Sequence, residues 1–562
     1  MTEVVTSANP GLAQPLLAKR TSKSWMISAL VTTAIVALPV LSVLVLAFFP
    51  EENIWPHLLD TTLPRYLTTT LQLMAGVGVL TLVIGLATAW AVTMCEFPGR
   101  KFFEWALLLP FAIPAYVIAY VYTSLLDYAG PVQSSLRDWF GWANASEYWF
   151  PEIRSLEGAI LMISLVLYPY VYLLARAAFL EQSPSLFSVS RSLGHSALST
   201  FFRVVLPIAR PAIAVGLSLV LMETLNDFGT VDFFAVQTLT AGLFDTWMNL
   251  GNLGGAAQIA TTMLIFVVIL VTLERYSRRR QQQFAARDNR DPIHRFTMSF
   301  PRQMICVATC AVPLIFGFII PASTLGYYAW DYFDESWTPD FIENTFNSLF
   351  LSSAAAMTTL LIGITLAYSR RLHNTRGMQI LMRLSSLGYA MPGAVLAVGV
   401  IVPLAGFDNW LDSLMRDYFG FSTGLLLSGS AFALVFAYTV RFLAVSAGSV
   451  ESALQKVTPS MDMASRSLGH TPGKTLAKVH LPMLRGTLVT AALVVFVDCM
   501  KELPATLILR PFNFETLATY VYQFASDEML QHSALPSLII VLAGIIPIIL
   551  MNRSISNSRT MA

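Results

Sequence analysis

Four carboxylates stand inside otherwise apolar runs of this chain: Glu223 and Asp227 in one run, Asp498 and Glu502 in another. Each pair is spaced i, i+4, which on a continuous helix puts both groups on one face about one turn apart. A carboxylate within an apolar span is expensive to bury and marks a pathway by default. One offset of 275 positions relates the two pairs, so all four would form an acidic collar where the runs meet. Hard cations prefer oxygen donors, a trivalent ion most of all, whereas an anion would be repelled. Lys501, between Asp498 and Glu502, and Arg441 in another run are candidate partners that would neutralise part of this charge. The competing reading is that the carboxylates sit at the membrane edge or pair structurally.

Other chemistry is hard to find. Cys95, Cys306, Cys310 and Cys499 lie in or beside apolar runs and read as packing residues. Cys306 and Cys310 are one helical turn apart, but no second Cys or His pair accompanies them, so no tightly bound metal is expected. The segment Gly469-His470-Thr471-Pro472-Gly473-Lys474-Thr475 resembles a phosphate loop, yet it has three residues between its glycines where the motif needs four. No buried strand precedes it. The chain is therefore expected to bind no nucleotide or other cofactor, and it carries no nucleophile or zinc cluster of an enzyme.

The elements that must position these groups are membrane spans. Of 562 residues, 55% are hydrophobic and 12% charged, about half the charge of an ordinary soluble domain. The balance of 35 basic and 34 acidic residues gives no reason to expect nucleic acid as a partner; a lipid bilayer is the expected surrounding. Apolar runs long enough to cross it occur near 25–49, 67–94, 103–126, 156–180, 211–235 and 256–274, and again near 304–327, 345–368, 381–404, 424–447, 487–509 and 532–551. With the N-terminus inside, the inner segments hold 27 Lys and Arg and the outer loops five, as the positive-inside rule requires. The reading is an all-α protein of about twelve spans with both termini cytoplasmic. Its parts are a cytoplasmic segment 1–24, a six-span half 25–274, a basic linker 275–303, a second half 304–551 and a tail 552–562.

The halves repeat. Ser190-Arg191-Ser192-Leu193-Gly194-His195 returns unchanged as Ser465-Arg466-Ser467-Leu468-Gly469-His470, and Leu206-Pro207 returns as Leu481-Pro482. Earlier in each half the offset is 278, where Pro114 meets Pro392. With six spans each, both halves enter the membrane in the same orientation, which makes a parallel repeat and a fused pseudo-dimer with its path between the halves. The verbatim copy lies in inner loops, where binding is a better explanation than packing. The pattern reads as a short helix, a bend at Gly194 or Gly469, and a second segment ending at a proline that suits the first turn of the next helix.

These loops resemble the EAA loop of the inner-membrane permeases of binding-protein-dependent ABC importers. Gly194, Val204 and Leu206-Pro207, and Gly469, Val479 and Leu481-Pro482, keep the family spacing. The opening triplet departs from Glu-Ala-Ala, reading Ser188-Val189-Ser190 and Met463-Ala464-Ser465. The resemblance implies a MetI-like fold in each half and a coupling helix in each loop. It also implies two copies of a cytoplasmic ABC ATPase that supply ATP and magnesium. Ser190, Arg191, Gly194, His195, Leu206 and Pro207, with Ser465, Arg466, Gly469, His470, Leu481 and Pro482, are the expected coupling residues. Glu223-Thr224-Leu225-Asn226-Asp227-Phe228-Gly229-Thr230 and Lys501-Glu502-Leu503-Pro504-Ala505-Thr506 resemble the ferric-iron branch of fused permeases. That branch implies a bacterial inner membrane and a periplasmic ferric-binding protein, received by acidic and aromatic outer loops such as 127–149 and 330–343. Thiamine permeases share the fused layout and are the competing substrate class. An ion-gradient-driven secondary transporter is the competing mechanism, and the paired loops argue against it.

Overall fold

The structure is a computed structural model that describes residues 23–182, 189–190, 192–194, 196–279 and 295–560. Among these, ten helices are long and apolar enough to cross a membrane. A further candidate is a pair of helices, Arg100–Ala112 and Ala115–Phe140, bent by 90° at their junction, and Ala534–Ile549 is a shorter apolar helix. The run near 103–126 is thus not one straight span. Its break lies at Ile113-Pro114, where Ile113 is extended (φ −91°, ψ 123°), as the steric demand of a following proline favours.

The helices used below are α1 (Lys23–Phe48), α2 (Leu63–Met94), α3 (Ala115–Leu126), α4 (Leu156–Glu181), α5 (Leu206–Asn226), α6 (Gly229–Phe233), α7 (Leu253–Arg279), α8 (Phe300–Leu314) and α9 (Ile320–Asp331). The second series is α10 (Pro339–Leu372), α11 (Gly393–Phe419), α12 (Ala431–Gln455), α13 (Pro459–Ser467), α14 (Leu481–Met500), α15 (Pro504–Leu509), α16 (Leu517–Ser526) and α17 (Ala534–Thr560). Packing divides the chain into two compact units.

The larger unit comprises Pro39–Ser352, Ala390–Ala437 and the chain from Val497 onward. Between apolar helices in lipid, close approach must supply the attraction, so small residues line the contacts. Gly76 and Gly85 of α2 face Ile160 and Val171 of α4, so closely that an added Cβ would lie 2.5 and 2.7 Å from them. Gly216 of α5 meets the backbone of Val171 in the same way. Tyr168 and Tyr172 are fully buried, and their hydroxyls donate to the carbonyls of Leu107 and Glu104 (2.9 and 2.8 Å). Helices α8 and α9, joined by a π-helical turn at Ile315–Ile319, pack on first-half residues: Tyr122 Oη donates to the Phe316 carbonyl (2.7 Å). The repeat is visible as one contact made twice. Leu239 N donates to Thr70 Oγ1 (2.9 Å) and, 278 positions on, Leu517 N donates to Ser348 Oγ (2.7 Å).

The smaller unit comprises the described residues up to Leu38, Ser353–Tyr389 and Tyr438–Phe496. Ala367, Val450, Leu454 and Leu484 form its core. Trp25 of α1 meets Tyr368 of α10 edge-on at 5.1 Å, and Ser369 Oγ donates to the Trp25 carbonyl.

Candidate functional site

The carboxylate pairs lie in the larger unit, and the structure alters their geometry. Helix α5 stops at Asn226, and Asp227 turns out of it (φ −64°, ψ 127°). Its carboxylate accepts the backbone N–H groups of Thr230 and Val231 (3.1 and 3.2 Å) and the Thr230 hydroxyl (3.0 Å). It thereby satisfies the otherwise orphaned first turn of α6. Helix α14 likewise stops at Met500, and Glu502 Oε1 accepts Ala505 N–H (3.4 Å) ahead of α15. The expectation that each pair shares one face of a continuous helix is therefore corrected. A break separates the members, because Asp227 and Glu502 cap the next short helix and because Pro504, at the start of α15, lacks the N–H to continue α14.

Glu223 and Asp498 remain in the last turns of α5 and α14. Lys501 does pair with Asp498 (3.0 Å), and its ammonium also sits 4.2 Å from the centre of the Phe111 ring. Glu223 lies within electrostatic reach of Asp227. Tyr116 of α3 lies within reach of both Asp227 and Glu502, so the two breaks converge on one residue. Gly229 seals the junction: a Cβ there would stand 2.7 Å from Tyr116 Cβ and 2.8 Å from Leu503 Cδ2. Asn226 Oδ1 accepts Gly393 N–H at the start of α11 (2.5 Å). Arg441 belongs to the smaller unit.

The paired loops share a built-in bend. Gly194 and Gly469 have the same left-handed φ of +79°, which costs glycine nothing. Ser190 Oγ bonds Thr200 Oγ1 (2.8 Å) and Ser465 Oγ bonds Thr475 Oγ1 (2.9 Å), all four groups buried. The repeated serines thus staple the two arms of each loop together. Pro207 and Pro482 occupy the first turns of α5 and α14, each preceded by a π-helical turn, Phe201–Val205 and Leu476–His480. Arg191 and His195 lie outside the described residues. Arg466 is half-buried, and His470 Nδ1 lies 3.1 Å from Ser465 Oγ.

Several residues of these loops were missed by sequence reasoning. Leu193 and Leu468, at matching positions, are 71% and 77% exposed and present apolar surface on both loops. Their signal was present, since both belong to the repeated hexapeptide. The second loop also carries a clamp, described by Asp462 of α13. Arg371 at the end of α10 donates from Nε and Nη2 to Asp462 Oδ2 (3.0 and 2.7 Å), and His480 Nε2 lies 2.8 Å from Oδ1. Burial pushes the Asp462 carboxyl up, but the bonds from His480 and Arg371 outweigh it and hold it below the usual carboxylate range. Tyr368 Oη donates to the Pro472 carbonyl (2.7 Å), fixing the far arm.

Among the described residues, no three His, Cys, Asp or Glu side chains gather as a metal site. The sequence profile of the binding-protein-dependent transport system inner membrane components matches residues 82–283 and 359–558. The chain belongs to that family. It is a multi-span inner-membrane permease with two copies of the family domain in tandem. The permease is 25% identical over 497 residues to the Fe(3+)-transport system permease protein FbpB 2 of Haemophilus influenzae, covering 87% of this chain and 89% of that one. It is 22% identical over 520 residues to the ferric transport system permease protein FbpB of Actinobacillus pleuropneumoniae, covering 87% and 72%. It is also 26% identical to the molybdenum transport system permease protein ModB of Escherichia coli, over 37% of this chain and 89% of that one.

Proposed function

We propose that this permease forms the translocation path of an ABC importer for ferric iron delivered by a periplasmic binding protein. The observation that carries the substrate is the end-to-end similarity to a fused Fe(3+) permease, 87% of one chain against 89% of the other. The molybdenum relative aligns with only 37% of the chain, the extent of one half. The four carboxylates at the helix breaks agree with a hard cation and oppose an oxyanion.

In this reading the two halves form a pseudo-dimer of twelve spans with both termini cytoplasmic. The bent pair and the helix from Ala534 supply the spans beyond the ten long helices. Each stapled loop receives one ATPase subunit, which holds ATP and magnesium, and the exposed Leu193 and Leu468 are the apolar contacts. The short helices α6 and α15 are the moving parts at the closed junction, and ATP-driven displacement of the loops opens it. Chain reconstituted in liposomes with the ATPase and a ferric-loaded binding protein is expected to import iron only with ATP. Import driven by a proton gradient without the ATPase would contradict the proposal.

A further inference from the structure

Beyond the carboxylates, the larger unit buries two phenols whose oxygens no described residue satisfies. Tyr116 and Tyr120 are 5% and 2% exposed, and among the described residues neither hydroxyl has a hydrogen-bond partner. Leaving such a group unpaired is costly, and phenylalanine would fill the same space without that cost. The two rings are successive turns of α3, with centroids 5.7 Å apart. Tyr116 lies within electrostatic reach of Glu502 and Asp227, whereas Tyr120 lies within reach of Tyr116, Asp227, Asp232 and Tyr522. Tyr522 of α16 donates its hydroxyl to Asp232 Oδ2 (2.6 Å), and Asp232 is exposed. Aromatic walls flank these groups: Phe233 packs edge-on against Tyr120 at 4.6 Å, and Phe228 lies 5.8 Å from Tyr522.

These groups therefore cluster about α3: the bonded Asp232–Tyr522 pair within reach of Tyr120, Glu502 within reach of Tyr116, and Asp227 within reach of both rings. This cluster exists once, not twice. The repeat equivalents of Tyr116 and Tyr120, 278 positions on, are Ala394 and Val398, both fully buried, and that of Asp232, 275 positions on, is Leu507. The second half fills the same places with apolar side chains, so the fold itself does not demand phenols.

We propose that Tyr522, Tyr120 and Tyr116, with Asp232, form a phenol–carboxylate relay that passes a desolvated trivalent cation from the exposed Asp232 to Asp227 and Glu502. The inference rests on the ferric reading above and adds ligands to it. Phenolate and carboxylate are hard oxygen donors suited to ferric iron. Each phenol gives up its proton as its oxygen binds the ion, an adjacent carboxylate takes that proton, and the phenol recovers it when the ion moves on. Iron stays ferric throughout, and no electron is transferred.

A cavity of about 10 Å³ also borders Tyr120, lined in part by Ser124, Tyr328, Ser533 and Ser537. It has room for one water, and a phenol held only by that water would tolerate replacement. The test is the intact permease in nanodiscs titrated with ferric nitrilotriacetate, together with iron uptake by cells carrying the whole importer. The wild type is expected to develop visible phenolate-to-iron charge-transfer absorption, and the Tyr116→Phe/Tyr120→Phe double variant to lose it. Uptake by that variant should fall about tenfold or more, the scale of losing a metal-supporting group, at unchanged abundance in the membrane. A double variant importing iron at the wild-type rate, or a wild type without the absorption, overturns the relay. Cells whose wild-type importer takes up no iron overturn the ferric reading as well.

Discussion

Gly229 and Asp227 carry the tightest constraints of the junction. At Gly229 any side chain meets the Cβ of Tyr116 and the Cδ2 of Leu503 at once, and the Cβ atom cannot swing away. Gly229→Ala is expected to destabilise the closed state by about 1–3 kcal/mol, the usual cost of overpacking, and to lower iron uptake. Thermal unfolding and uptake measured on the same preparation check both effects. In the proposed reading Asp227 has two separable duties, capping α6 with its oxygens and offering its charge to the ion. Asp227→Asn keeps an oxygen for the N–H groups and removes the charge. It should reduce uptake with little change in thermal stability, and with Glu223→Gln it should nearly abolish uptake. Asp227→Leu removes the cap as well and should cost roughly 0.5–2 kcal/mol. An Asn variant that unfolds as readily as the Leu variant would mean the charge itself holds the fold.

At the scale of elements, the paired loops are rigid bends stapled by Ser190–Thr200 and Ser465–Thr475. Proline cannot adopt the +79° found at Gly194 and Gly469. Gly194→Pro or Gly469→Pro should therefore uncouple ATP hydrolysis from import while the chain remains in the membrane, read as stimulated ATPase activity against uptake. Asp462→Asn should loosen the second loop, at a cost of about 1–3 kcal/mol for the donor that loses its oxygen. Because its carboxyl is held below the usual range, Asp462 contributes stability at every pH above the ordinary carboxylate value of about 3.9. That contribution fades only as pH falls through the lowered value. Acid should thus erase its share of loop stability, as unfolding of wild type against Asp462→Asn followed downward from about pH 4 would report. The bends were legible in the sequence because the hexapeptide and the Leu-Pro pairs recur in register. The clamp was not, since Arg371, Asp462 and His480 are scattered along the chain and their first-half equivalents are Thr93, Phe187 and Val205. The helix breaks escaped for a different reason: i, i+4 spacing fits a continuous helix as well as a capped break. Only the Asp227-to-Thr230 spacing and Pro504 hinted at the caps.

At the scale of the whole molecule, apolar length made ten of the expected spans readable as long helices, and the duplicated loops made the family readable, which the two profile matches bear out. The bend at Ile113-Pro114 was less legible, because in-span prolines are compatible with either a kink or a full break. The proposed substrate rests on the similarity to an Fe(3+) permease along most of both chains, and the four carboxylates would set how the path treats charge. The most direct measurement is ATP-dependent uptake into liposomes holding the permease, its ATPase and its binding protein, with ferric iron and molybdate offered in parallel. The account predicts that iron accumulates, that molybdate does not, and that Glu223→Gln/Asp227→Asn stops the iron. Accumulation of molybdate, or undiminished iron uptake by the double variant, would contradict it.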